Sequence, residues 1–286
     1  MECRLTPFAR EIYYNPELTN YEDSYDGRRK EPVTFPCKIP MAIIQGVEGI
    51  AVGMSTKILP HNLLEVLEAE KKCLQGKEFQ IFPDFPTGGF VDVTNYDDGL
   101  GKVLVRAKLD VSDPKKIVIT ELPFGCTTES LMDSIEGASK KNKIKIGAIN
   151  DFTTDTVEIE IKLPRGVHSK DVEDALYAFT DCETSISVNL LLINNHFPVI
   201  MTLTQVIEYH AKKLVSILKQ ELENEKKNLQ DRLHARTLEQ IFIEERIYKE
   251  IETQKTRAAV YTAVQNGFIP FMDKIKREIT PEDMKL

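Results

Sequence analysis

The side chains able to do covalent or metal chemistry are scattered along this chain. Histidines stand at 61, 168, 196, 210 and 234, with no His-Glu-x-x-His pair and no cysteine at ligand spacing. Cys3, Cys37, Cys73, Cys126 and Cys182 are far apart and never form Cys-x-x-Cys. They read as reduced thiols of a cytoplasmic protein rather than a zinc site or a disulfide framework. The adjacent pairs Asp97-Asp98 and Glu244-Glu245 point their carboxylates apart, so neither makes an acid–base dyad. No Ser, His and Asp order supports a nucleophilic triad. One stretch stands out: GVEGIAVGMSTKILPHNLLEV, residues 46–66. It is neither GxGxxG nor followed by Gly-Lys-Ser/Thr, which argues against a nucleotide cradle. Two readings stay open. Gly46, Gly49 and Gly53 can close a turn onto a buried strand, with Ile50 and Val52 in the core. Alternatively, the glycines let backbone approach a polyanion while Ile50 projects as an apolar wedge, the kind that DNA-bending proteins insert between base steps.

These residues need elements to position them. Leu5, Phe8, Ala9 and Ile12 fall at i, i+3, i+4 and i+7, an amphipathic helix. A long irregular segment follows, with prolines at 16, 32, 36 and 40; inside it, Asp26 to Lys30 reads as a solvated turn. A helix is expected from about His61 to Leu74, with His61 capping or packing at its start. Period-two alternation then marks strands at 102–111, 116–125 and 157–164, and a further strand at 190–195. Helices fit at 127–141 and at 169–180, the latter with Ser169 as its N-cap. From Thr202 there is neither Pro nor Gly for a long helix. Its stripe is Leu203, Ile207, His210, Leu214, Ile217, Leu222, Leu229 and Leu233, and this seam calls for a helical partner. Shorter helices are expected at 236–253, at 256–265 and after Phe268. The fold class is α+β.

Bulk properties narrow the classes. With 286 residues, 42% of them hydrophobic, the chain can build one large or two ordinary domains. No apolar run approaches the ~20 residues that cross a bilayer, and the charged N-terminus is no signal peptide. The net charge of −8 argues against a generally basic nucleic-acid binder. Residues 1–60 are nearly neutral, however: Arg4, Arg10, Arg28, Arg29, Lys30, Lys38 and Lys57 almost balance the acids there.

Taken together, the motifs resemble one family. ECRLTPFA is similar to the segment following the catalytic tyrosine in the A subunit of bacterial type IIA topoisomerases, where the pattern is Arg-Tyr-x-Glu-x-Arg-Leu. SYDGRRKEPVTFPCKIP, GVEGIAVGMSTKILPHNL, PDFPTGG and ITELPFG resemble further family motifs in the same order, and the resemblance runs through LEQIFIEERIYKEIE to ITPEDMKL. The LEQIFIEERIYK stretch looks more like a topoisomerase IV-type chain than a gyrase.

The resemblance implies that Ile50 is inserted into gate DNA and kinks it, with Gly49 beside it and Arg4 and Lys38 contacting phosphates. It implies a gate floor and tower entry at 1–89, a tower domain with a mixed sheet at 90–201, a coiled-coil helix at 202–235 and a helical exit gate at 236–286. It places the nucleophilic tyrosine two residues before Glu2, ahead of Met1; Tyr13 and Tyr14 match no motif. The chain is therefore expected to be an internal fragment, inactive alone, that binds no cofactor. Mg²⁺ and ATP are expected on the partner B subunit of an A2B2 assembly. The expected partners are double-stranded DNA, that B subunit and a second copy of the chain as a homodimer, with no membrane. An architectural DNA-bending protein and a coiled-coil interaction module are the alternatives.

Overall fold

The computed structural model describes residues 4–194, 196–275, 277–280 and 283. Glu2, Cys3, Asn195 and most of the 281–286 motif therefore lie outside the described residues. The chain gathers into two compact units, one of Cys37–Leu214 and one of Met1–Pro36 together with Val215–Leu286.

The N-terminal part of the second unit opens with α1 (Pro7–Tyr13), whose N-cap Thr6 accepts the Ala9 N–H. Of its apolar stripe Ile12 is buried, while Leu5 and Phe8 are exposed. The segment expected to be irregular contains an antiparallel hairpin, β1 (Asn20–Asp23) and β2 (Lys30–Thr34). The Asp26 carboxylate accepts from Ser24 Oγ and the Arg28 N–H across the connecting turn.

The unit of residues 37–214 begins with α2 (Met41–Gln45), β3 (Val47–Ala51), β4 (Met54–Ile58) and α3 (Leu63–Leu74). It continues through β5 (Phe90–Asp92), β6 (Lys102–Arg106), β7 (Lys108–Asp110), β8 (Lys116–Glu121) and α4 (Thr128–Lys140). Next come β9 (Ala148–Asp151), β10 (Ile159–Lys162), α5 (Ser169–Phe179), β11 (Glu183–Ser187), β12 (Leu191–Asn194) and β13 (Phe197–Ile200), and α6 (Leu203–Glu244) starts here. The α+β class holds. The described strands pair antiparallel throughout, in small sheets ordered β7-β8-β10-β9 and β11-β6-β5 and in the hairpins β3-β4 and β12-β13.

Two apolar clusters organise this unit. Ile117 and Ile119 of β8 and Ile159 and Ile161 of β10 pack with Leu131 and Ile135 of α4 and Leu176 of α5. The period-two strands thus place their apolar face under two helices. In the other cluster Ile43, Leu59, Val66, Val103, Val105 and Leu190 close around Leu203 and Ile207 of α6. The first turns of the long helix are therefore core, not seam. His210 also faces inward: its Nδ1 lies 2.5 Å from Glu70 Oε1 on α3, and its Nε2 lies 3.3 Å from the Cys37 carbonyl. Both ring nitrogens thus have partners, which tie the start of α6 to α3 and to the residue before Lys38.

Some boundaries differ from the sequence expectation. The 102–111 strand is two strands interrupted at Ala107, which donates its N–H to the Cys182 carbonyl. The N-cap of α5 is His168, not Ser169, whose hydroxyl donates to the Val111 carbonyl instead of capping. The expected 236–253 helix is divided. Residues up to Glu244 continue α6, Arg246 takes a left-handed φ of 57°, and α7 covers Tyr248–Ile251. Then α8 (Arg257–Phe268) and a 3-10 turn at Ile269–Lys274 follow, with Leu238, Ile241, Ile247, Val264 and Phe268 forming the core of this end.

Candidate nucleic-acid interface

The glycine-rich stretch folds into the β3–β4 hairpin, with Ile50 opposite Ser55 and Ala51 opposite Met54. Val52 and Gly53 make the turn, and Gly53 has φ +77°. Ile50 is 88% exposed and Val52 fully exposed, which rejects the reading that buries them in a core. Met54 is exposed beside them. Three large apolar residues thus stand at the end of a two-stranded ribbon. The Glu48 carboxylate and Lys57 Nζ pair across the ribbon at 3.0 Å; such an exposed pair contributes at most ~1 kcal/mol.

The three glycines have different reasons to be there. Gly46 has φ +73°, and a Cβ would come within 2.8 Å of the Ile58 carbonyl oxygen and 2.9 Å of the Pro60 nitrogen. It is required where the start of the ribbon passes close to the residues that follow its end. Gly53 is required by its positive φ, with open space around it. At Gly49, φ is ordinary and a Cβ would meet only Thr56 Cγ2, at 3.7 Å. Nothing inside the fold demands a glycine there.

The root of the hairpin is clamped by His61. Its N–H donates to the Ile44 carbonyl, and Nδ1 lies 3.1 Å from the Ile43 carbonyl oxygen, so residues just after β4 grip α2 just before β3. A carbonyl only accepts, which places the ring proton on Nδ1 and leaves Nε2 to accept from the Tyr96 hydroxyl at 3.0 Å. Burial pushes His61 below the ordinary imidazole value, outweighing its hydrogen bonds to backbone. Burial also pushes the Tyr96 hydroxyl well above the usual phenol value. His61 is thus a structural clamp rather than a ligand. Asn62, the next residue, caps α3 by accepting the Leu64 N–H.

Two other motifs form a joint away from the hairpin. The Gly89 N–H of PDFPTGG donates to Glu121 Oε2 of ITELPFG at 2.6 Å, and Lys108 Nζ lies 2.8 Å from Oε1. These bonds hold the Glu121 carboxyl below its usual range. Phe85 and Phe124 of the same motifs stack with centroids 4.6 Å apart. The carboxylate is fully engaged in holding a turn.

The remaining candidates are separated. Lys38 is half-buried between anchored neighbours: the Cys37 carbonyl is bonded by His210, and Cys37 Sγ donates to the Ile39 carbonyl. Lys38, Gly49 and Ile50 belong to one unit, and Arg4, exposed, to the other. Asp97 and Asp98 both have left-handed φ, and Asp98 accepts from the Thr204 N–H and hydroxyl at the start of α6. Cys37, Cys73, Cys126 and Cys182 are free thiols, and burial pushes Cys182 up to about 11. Among the described residues no three His, Cys, Asp or Glu side chains converge as a metal site, and no helix is long and apolar enough to cross a membrane.

The family model for the A subunits of DNA gyrase and topoisomerase IV matches residues 1–279. The chain belongs to this DNA gyrase/topoisomerase IV A-subunit family. It is 52% identical over 285 residues to the DNA topoisomerase 4 A-subunit of Borreliella burgdorferi, an alignment covering 100% of this chain and 46% of that protein. It is 33% identical over 256 residues to the DNA gyrase A-subunit of Lawsonia intracellularis, covering 82% of the chain and 31% of the relative. The DNA gyrase A-subunit of Brachyspira hyodysenteriae is 31% identical over 293 residues, with 93% and 35% covered. The chain thus spans less than half the length of each of these relatives. Within this gyrase/topoisomerase IV A-family chain, Asn189 bridges to Lys57 of the hairpin, a contact that sequence reasoning missed. No periodicity or motif marks it.

Proposed function

We propose that this chain forms part of the DNA gate of a type II topoisomerase, within its A-type chain, with Ile50 as the wedge that bends the gate duplex. The observation that carries this reading is the 88% exposure of Ile50 at the end of the β3–β4 ribbon. Burying an isoleucine side chain is favourable by roughly 1.5–3 kcal/mol. That offsets much of the few kcal/mol needed to unstack a base step, and contacts along the bent duplex supply the rest. Gly49 fits the same reading, because the space beside it is left open by the protein and suits a closely approaching sugar-phosphate backbone. Lys38 and Arg4 are the phosphate-contact residues in this reading.

The intact enzyme would break, pass and rejoin double-stranded DNA, working with a B subunit that holds Mg²⁺ and ATP in an A2B2 assembly. Leu222, Leu229 and Leu233 on α6 are exposed, which supports pairing with another helix, and the end of α6 with α7 and α8 supports a dimer-forming exit gate within 236–286. Residues 1–89 would provide the gate floor, 90–201 the tower and 202–235 the coiled coil.

Ile50→Ala tests the wedge. The duplex bend, read by end-to-end energy transfer at saturating protein, should be largely lost, while the melting temperature stays close to that of the parent. A normal bend with Ile50→Ala would overturn the proposal.

A further inference from the structure

A two-stranded ribbon is a weak base for a wedge, because an isolated hairpin is at best marginally stable in water. Unless its outer edge is held, the ribbon can bend back when Ile50 is pressed against a base step. Among the described residues, the hydrogen bonds at the outer edge of β4 come from Asn189. The Lys57 N–H donates to the Asn189 carbonyl at 2.9 Å, and the Asn189 N–H donates to the Lys57 carbonyl at 3.0 Å. These two bonds form a single isolated antiparallel bridge. The side chain then adds what a third strand would otherwise supply: Asn189 Nδ2 donates to the Ser55 carbonyl at 2.8 Å. Thr56 Oγ1 donates to the Asn189 carbonyl at 3.2 Å. Ser55 is the residue directly opposite Ile50, so the amide side chain pins the rung that carries the wedge. Asn189 itself lies between Val188 and Leu190, which are 4% and 1% exposed. Its position is thereby fixed by the core, and a load on Ile50 passes through Ser55 and Asn189 into packed apolar residues.

We infer that Asn189 is a positioning residue for DNA bending, stiffening the β3–β4 hairpin so that Ile50 enters the duplex at a fixed angle. The inference rests on the wedge reading of Ile50. Its role is mechanical and needs no contact with DNA.

The test uses the 286-residue chain with Asn189→Ala, Asn189→Asp and, from the other side of the joint, Thr56→Val. Asp keeps the shape but presents an acceptor to the Ser55 carbonyl, and the backbone bridge survives in all three proteins. Without DNA, hydrogen exchange in the 47–58 segment should quicken by about fivefold or more in the Asn189 variants, the effect of losing one net hydrogen bond, and less in Thr56→Val. Exchange in β8 and β10 and the melting temperature should stay near the parent values. With DNA, the end-to-end energy-transfer change at saturation should shrink. Asn189→Ala should add little to Ile50→Ala, because both act through one element. Unchanged hairpin exchange, or a normal bend in the Asn189 variants while Ile50→Ala abolishes it, would overturn the inference alone. A bend that falls only in step with a general loss of stability in all three variants would make the residue merely structural and overturn it as well. A bend insensitive to Ile50→Ala would remove the wedge reading, and the inference with it.

Discussion

The β3–β4 hairpin and the β7-β8-β10-β9 sheet use the same residue in opposite ways. In the sheet, Ile117, Ile119, Ile159 and Ile161 are completely buried beneath α4 and α5. In the hairpin, Ile50 sits in an equally regular strand and is nearly as exposed as an isoleucine can be. Backbone geometry and side-chain chemistry are the same in both. What differs is that two amphipathic helices cover one region and nothing in the described protein covers the other. An apolar side chain is an element of stability where the chain itself supplies its cover, and a tool for binding where the cover must come from outside.

The largest expected effect breaks that symmetry directly. Ile161→Ala should lower stability by about 2–5 kcal/mol, the cost of a cavity in a packed core. Ile50→Ala should stay within about 0.5 kcal/mol, as for an exposed site with no internal partner. Denaturant melts of the two variants side by side provide the check, and equal losses would contradict the contrast.

A smaller effect separates two glycines of one ribbon. Gly46→Ala forces a non-glycine residue to positive φ against the Ile58 carbonyl, at a cost of about 1–3 kcal/mol. Gly49→Ala should melt like the parent, yet weaken DNA binding where close backbone approach is needed. If Gly49→Ala bound DNA normally, the glycine would have no role in the interface.

The smallest effect is a pH dependence at the root of the hairpin. The folded protein holds His61 neutral, below its ordinary value, so the unfolded chain takes up a proton more readily. The contribution of His61 is complete above about pH 6.5, its unfolded value, and is lost as pH falls toward and through the lower native value. Melting temperatures between about pH 8 and about pH 5 should therefore decline less steeply for His61→Gln than for the parent. Equal slopes would assign the acid sensitivity to other groups.

The covered region was the more legible of the two in sequence. In VEIEIKLP the alternation records burial, because only one face meets α4 and α5. Helix starts were less exact: Ser169, expected as the N-cap of α5, stands one residue past the cap at His168. The hairpin was not legible as strands: with both faces largely solvated, no alternation was needed to write GVEGIAVGMSTKI. Its identity came from a family motif rather than from periodicity. The stripe of α6 shows the limit of a helical pattern, which cannot tell a residue buried in its own unit, such as Ile207, from an exposed one such as Leu222. Asn189 carries no pattern, since its partners at 55–57 are fixed only by the tertiary fold. The end of α6 was placed too early because a run at 236–244 reads equally well as a new helix or as the old one continued.

The Glu70–His210 pair also sets a timetable. The two residues are 140 positions apart, so a ribosome adding about 5–20 residues per second needs roughly 7–28 s between them. Throughout that interval α3 exists without the histidine that satisfies its buried carboxylate, and the apolar cluster around Ile43 and Leu59 lacks Leu203 and Ile207. The unit of residues 37–214 therefore completes its core only when the start of α6 has left the ribosome. The other unit waits longer still: the side chain of Asn15 donates to Glu221, 206 residues later. During synthesis the early segments of these two units therefore lack those partners until the long helix arrives.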